Sequence, residues 1–283
     1  MRRSAPGGLR RRIWGTLDLS AHETGRKGLR MEPVYRPVVA FALTIFKGMR
    51  WKIQTTGENH VPISGPAVIA TNHVGYLDFV FVGATARKRG RLVRFLAKQE
   101  VFAHPVAGPL MRGMKHIPVD RYGRARDAIE ASVEALRDGE VVGMFPEGTI
   151  SRSFVPSDGK SGAARMAMKA KAPLIPGAVW GTQRILTKGR PKNWQRNITI
   201  MVELGKPIPY DETSDPDVVT KRLMEVIGEM VQNAAASYPD RPVGDDDRWW
   251  LPAHLGGTAP TVEESLEMSR AEREERARRR RGE

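Results

Sequence analysis

The sequence predicts an α/β fold whose sheet contains several parallel strands. From Ala67 onward, short β-prone runs alternate with stretches of helical periodicity, the pattern of strand–helix–strand units. Residues with chemistry in their side chains also stand at the exits of the β-prone runs: His73, the pair Asp120-Arg121, and Glu147. Sites in α/β folds gather beyond the carboxyl ends of strands, so three turns far apart in sequence are expected to meet in one crevice.

Residues 1–32 carry eight Arg and Lys (Arg2, Arg3, Arg10, Arg11, Arg12, Arg26, Lys27 and Arg30) against Asp18 and Glu23. They read as a basic, disordered arm, with a short helix expected around 12–19. The arm is basic from the start, but no apolar core with a small-residue cleavage site follows, so no secretory signal is expected. Residues 33–56 contain the apolar run Val38-Val-Ala-Phe-Ala-Leu-Thr-Ile-Phe46, flanked by Arg36, Lys47, Arg50 and Lys52. A bilayer span needs about 20 apolar residues. This run is shorter and predicts an interfacial membrane-binding helix; a buried core helix is the competing reading.

Residues 57–236 form the expected catalytic domain, opened by the turn-rich stretch 57–66. Strands are expected at 67–71, 92–97, 116–120, 141–145, 174–179 and 198–204, and helices at 77–85, 125–138 and 162–171. In the second helix Ala128, Ile129, Val133 and Leu136 give the apolar stripe, and Asp138-Gly139 ends it. A final amphipathic helix at 217–236 is expected to put Val218, Val219, Leu223, Val226, Ile227, Met230 and Val231 on one face and close the domain. Residues 237–283 are a Pro/Gly-rich segment, whose Trp249-Trp250-Leu251 is expected to pack back on the core, then a charged helix fading into a basic tail.

The chain has 283 residues, a formal net charge of +14 and no Cys. Disulfides, Cys-based zinc sites and thiol nucleophiles are thereby excluded. The charge implies an anionic partner: membrane lipid, a phosphorylated substrate or nucleic acid.

The densest chemistry lies in Val68-Ile-Ala-Thr-Asn-His-Val-Gly-Tyr-Leu-Asp-Phe79. Residues five apart do not share a helix face, so His73 and Asp78 meet only if the chain turns between them, which Gly75 permits. Asp78 then sits in the first turn of a helix, where the dipole favours a carboxylate. It can accept the Nδ1 proton of the imidazole and leave Nε2 as a base. A surface His beside a helix-start Asp is the bland alternative.

Two further stretches strengthen the case: Gly113-Met-Lys-His-Ile-Pro-Val-Asp-Arg121 and Val141-Val-Gly-Met-Phe-Pro-Glu-Gly-Thr149. With Asn72-His73-x4-Asp78 they resemble the first three sequence blocks of the glycerolipid acyltransferase family, of the lysophosphatidic-acid acyltransferase type. Ala172-Pro-Leu-Ile-Pro-Gly-Ala-Val179 resembles the fourth. The blocks stand in family order over roughly residues 50–205, and the chain is also similar to actinobacterial members.

The resemblance implies a single α/β domain with a mixed, largely parallel central sheet flanked by helices, plus an N-terminal membrane-associating helix. It implies a His73–Asp78 dyad that moves a fatty acyl group to the free hydroxyl of lysophosphatidic acid, giving phosphatidic acid. The donor is acyl-CoA or acyl-carrier protein, with no other cofactor and no metal. A glycerol-phosphate site is implied at Lys98, Arg121, Glu147, Gly148, Thr149 and Arg152, with a structural role, capping a helix or pairing with Arg121, as the alternative for Glu147. An anionic membrane surface, at the cytoplasmic face of the cell membrane, is the implied partner. The absence of Cys and of a Gly-x-Ser-x-Gly elbow agrees with direct attack by the alcohol. Backbone N–H groups around Gly75 or Gly148 are candidate oxyanion donors.

The third block departs from the family pattern Phe-Pro-Glu-Gly-Thr-Arg-Ser. Here Phe145-Pro-Glu-Gly-Thr-Ile-Ser-Arg-Ser153 places two extra residues before Arg152, so either Arg152 loops back to the usual place or Lys160 or Arg165 replaces it. Glycerol 3-phosphate is therefore retained as an alternative acceptor. From other classes, thioester hydrolysis by the same dyad and nucleic-acid binding are retained too. The basic stretches lack the interleaved aromatics of base-stacking proteins, so no nucleic-acid partner is expected.

Overall fold

The computed structural model describes residues 15–16, 34–120 and 125–281. Arg121 and most of the basic arm lie outside the described residues. In chain order the elements are β1 (Gly15–Thr16), α1 (Tyr35–Gly48), β2 (Lys52–Thr56), β3 (Ala67–Thr71), α2 (Asp78–Arg87), β4 (Val93–Lys98), α3 (Gln99–Ala103), α4 (Ala107–Gly113) and β5 (Ile117–Val119). They continue with α5 (Ala125–Arg137), β6 (Val141–Met144), α6 (Gly162–Ala170), β7 (Leu174–Trp180), β8 (Thr199–Leu204), α7 (Pro216–Ala236) and α8 (Val262–Arg281).

The strands form one mixed, mostly parallel sheet in the order β1-β2-β8-β7-β3-β6-β4-β5. From β7 to β5 all neighbours are parallel. The direction reverses between β7 and β8, and β2 runs parallel to β8. The central strand β3 is buried along its whole length, as a strand covered on both faces must be. Its alternate residues serve two cores. Val68 and Ala70 face the layer of α5, α6 and α7, with Leu136, Ala167, Leu223 and Ile227. Ala67 and Ile69 face the layer of α1 and α2, where Phe46 stacks on Phe81 at 4.6 Å.

Two expectations at the amino end need correction. Residues 52–56 are not part of the membrane-binding helix: α1 ends at Gly48, and β2 adds to β8 because Ile53 and Thr55 alternate into the core. Within the expected helix at 12–19, Gly15–Thr16 is instead a strand paired with β2. The helices α3 and α4 were not foreseen. Helix α1 packs Phe46 inward yet leaves Phe41 69% exposed. No helix among the described residues is long and apolar enough to cross a membrane.

Helix α7 starts where its cap chemistry dictates: Asp215 accepts the Asp217 N–H at 2.7 Å and Pro216 occupies the first turn. Trp250 is fully buried, edge-on to Tyr238 at 5.5 Å, so the segment after α7 packs back on the core as expected.

Candidate active site

The neighbouring strands β7, β3 and β6 end side by side, and each contributes a group just beyond its carboxyl end. Asn72 leaves β3 first. Its side-chain amide donates to Val179 O (3.0 Å) and accepts from Val179 N (2.7 Å), so it continues the pairing with β7 beyond the last strand residue. His73 follows in the turn, and Asp78 opens α2.

The two side chains meet as predicted, with His73 Nδ1 2.9 Å from Asp78 Oδ2. Asp78 is fully buried and offers only acceptors, so Nδ1 carries the shared proton and Nε2 is left as the basic nitrogen. The same Oδ2 accepts the N–H groups of Val74 (2.8 Å) and Gly75 (2.9 Å), and Oδ1 accepts the Thr182 hydroxyl. These donors and the imidazole offset the desolvation of a buried carboxylate. Thr182 comes from the turn after β7, held by buried Arg184 in its ion pair with Asp240 (2.6 Å). Gly75 matters through close approach: a Cβ there would stand 3.0–3.1 Å from Thr182 atoms and push that donor off Asp78.

The turn after β6 grips His73 from the other side. Glu147 Oε1 accepts the His73 N–H at 2.9 Å, while Oε2 accepts the N–H (3.1 Å) and hydroxyl (3.3 Å) of Ser157. Glu147 is 7% exposed. Burial pushes its carboxyl up to about 7 against the opposing pull of these hydrogen bonds, and Asp78 adds to the rise. Phe145 stacks on the His73 ring (4.0 Å, 11°) and in turn on Phe95 (6.0 Å, 15°). Dihedral freedom of the imidazole is therefore restricted from three directions: by Asp78, by Glu147 through the backbone, and by a flat aromatic floor.

Of the candidate oxyanion donors, the N–H groups of the two glycines themselves are otherwise engaged. The Gly75 N–H serves Asp78, and the Gly148 N–H donates to Phe145 O (3.0 Å), with Gly148 in the left-handed conformation that closes the Pro-Glu-Gly turn. Lys98 is the last residue of β4, at the same edge of the sheet, and Asp120 directly follows β5. Arg121 falls outside the described residues.

Arg152 and Thr149 lie on the strand-exit loop beside the dyad. The Ser151 N–H donates to His73 O at 2.8 Å, so the two extra residues before Arg152 are absorbed by tying the loop to the dyad turn. Arg152 pairs with Glu272 of α8 at 3.3 Å. Sequence reading missed Thr182 and Lys188. Lys188 reaches Thr149 Oγ1 (3.3 Å) and Glu272, and its neighbour Thr187 donates to Val74 O (2.6 Å). A signal for Thr182 existed: it stands one residue past Gly181 at the carboxyl end of a strand adjacent to β3.

A model of the acyltransferase family matches residues 52–180, the stretch that holds all of the sheet from β2 to β7 and every group on the dyad except Thr182. Over 156 residues the chain is 30% identical to the 1-acyl-sn-glycerol-3-phosphate acyltransferase of Bacillus subtilis, covering 54% of this chain and 76% of that protein. It is 32% identical over 142 residues to a chloroplastic 1-acyl-sn-glycerol-3-phosphate acyltransferase of Arabidopsis thaliana, covering 49% of this chain and 39% of that one. The crystal structure of the 1-acyl-sn-glycerophosphate acyltransferase from Thermotoga maritima superposes with a TM-score of 0.59 at 22% identity, over 72% of this chain and 81% of that chain, a likeness of fold. The chain thus belongs to the acyltransferase family and is an acyltransferase.

Proposed function

We propose that this chain acylates lysophosphatidic acid to phosphatidic acid at a membrane surface, with an acyl thioester (acyl-CoA or acyl-carrier protein) as donor. The observation that carries this reading is His73 poised on a buried Asp78 that four donors hold in place, beside two cations on loops bonded to the dyad turn. The relatives named for this reaction support the acceptor.

His73 Nε2 takes the proton of the acceptor hydroxyl as its oxygen attacks the thioester carbonyl. The tetrahedral intermediate collapses, the C–S bond breaks, and the imidazolium returns the proton to the departing thiolate. Asp78 steadies the imidazolium, and no acyl-enzyme forms. Thr149, Arg152, Lys98 and Arg121 receive the glycerol phosphate, while Glu147 and Gly148 shape the turn that presents them. Helix α1 lies at the lipid surface through its exposed side, with Phe41 dipping into the acyl boundary and the flanking basic residues on anionic headgroups. That surface is the cytoplasmic face of the membrane.

The altered third block favours keeping glycerol 3-phosphate as the second acceptor. Both acceptors, offered with a series of acyl-CoAs and analysed for product, test the reading. Phosphatidic acid is expected from lysophosphatidic acid, dependent on His73. Thioester loss at the same rate without any acceptor would make the chain a hydrolase instead.

A further inference from the structure

We propose that Arg152 and Lys188 form one anion site for the acceptor's phosphate, and that Glu272 of α8 fills it as a carboxylate placeholder until the acceptor displaces it. This rests on the proposed function and adds Lys188 as a phosphate ligand and α8 as its competitor.

Glu272 Oε2 is 3.3 Å from the Arg152 guanidinium and is also paired with Lys188, while Oε1 pairs with Arg276 on α8 itself. Burial pushes the Glu272 carboxyl up, but Lys188, Arg276 and Arg152 outweigh it and hold it below its ordinary value. Burial lowers the Lys188 pKa, opposed by Glu272: a half-desolvated cation that needs an anion beside it. The two domain cations carry +2 and meet a single carboxylate. A phosphate monoester carries about −1.5 to −2 with three acceptor oxygens, so it matches the pair better than Glu272 does.

The site adjoins the dyad through covalent neighbours. Arg152 follows Ser151, whose N–H holds His73 O, and Lys188 follows Thr187, whose hydroxyl holds Val74 O.

The docking of α8 suits a displaceable element. Beside the site it meets the domain through polar groups: Glu272, and Ser265 Oγ accepting the Arg152 N–H at 3.3 Å. Its Leu266 and Met268 remain exposed, at 41% and 46%. Between α8, α7 and the 149–160 loop lies a cavity of about 830 Å³, where a packed seam would otherwise run. Helices held by few apolar contacts open at low free-energy cost.

The full chain tests this with kinetics and hydrogen exchange. Glu272→Gln is expected to lower the acceptor KM at least threefold with the donor KM unchanged. Lys188→Ala is expected to raise the acceptor KM at least tenfold, again sparing the donor, and Lys188→Arg to recover most of it. Exchange over residues 262–281 should quicken when glycerol 3-phosphate or inorganic phosphate is added to wild type, and should be fast without either in Glu272→Gln. An unchanged or raised acceptor KM in Glu272→Gln, or exchange indifferent to phosphate, overturns the placeholder. If Lys188→Ala lowers only thermal stability, or shifts donor and acceptor alike, Lys188 is structural and the site is lost. The exchange measurement needs no turnover, so a phosphate response in a chain that fails to acylate lysophosphatidic acid would indict the proposed reaction and not the anion site.

Discussion

The dyad turn is bonded to Ser151 and Thr187, the residues just before Arg152 and Lys188 of the cation rim, yet turn and rim are built from opposite materials. Asp78 and Glu147 carry buried carboxyl groups satisfied mainly by backbone N–H groups and hydroxyls. Arg152 and Lys188 are long, partly exposed cations satisfied by a carboxylate more than 80 residues away, on a helix outside the matched family region. Backbone donors cost no side-chain entropy to aim and hold the imidazole in one pose before substrate arrives. Ion pairs between flexible side chains are weak in water and exchange readily. Chemistry is thus preorganised at the centre, and recognition is exchangeable at the rim.

The sharpest test of the central half is His73→Ala, expected to lower kcat by about 10²–10⁴-fold with the fold intact. Activity within threefold of wild type would take His73 out of the mechanism. Thr182→Val removes one donor from Asp78 without touching the imidazole. It should reduce kcat about tenfold with acceptor KM near wild type, since a hydrogen bond to a charged group contributes about 1.5–3 kcal/mol. A KM effect larger than the kcat effect would place Thr182 in the rim. At the surface, Phe41→Asp should weaken partition onto anionic vesicles by about tenfold or more, because burying one Phe contributes about 1.5–3 kcal/mol. Unaltered sedimentation with vesicles would remove α1 from the membrane contact.

The smallest expected effect is on stability. The Glu147 carboxyl is raised from its ordinary 4.5 to about 7, so the folded chain keeps a proton that the unfolded chain has released between those values. More protons bound in the folded state means that stability falls as pH rises through this window and levels off above it. Denaturation of Glu147→Gln between pH 5 and 8 should show a shallower decline than wild type. Equal slopes would mean that Glu147 is ionised throughout.

Much of this was legible in the sequence because it is local. The exit of β3, the five-residue spacing of His73 and Asp78 and the Pro-Glu-Gly turn all follow from short stretches with strong β patterning and turn residues. The pairing of Glu147 with a backbone N–H 74 residues earlier was not legible, since a carboxylate's inward orientation has no sequence signature. Strand β2 was missed because an apolar helix run and a short strand abut across only three residues, and the basic flanks masked the alternation of Ile53 and Thr55. Glu272 was hidden in a tail whose composition reads as solvated; only the fold brings it to Arg152.

The stack of His73 on Phe145 has a spectroscopic consequence. Protons above the face of an aromatic ring are shielded by its ring current. Of the chain's six histidines, His73 lies flat on a phenyl ring at 4.0 Å. Its ring protons should therefore resonate upfield of the ordinary imidazole region and be assignable by their loss in Phe145→Leu. That displaced signal would let the base be watched directly in solution, by its shift on adding acceptor or donor, without any label in the substrate.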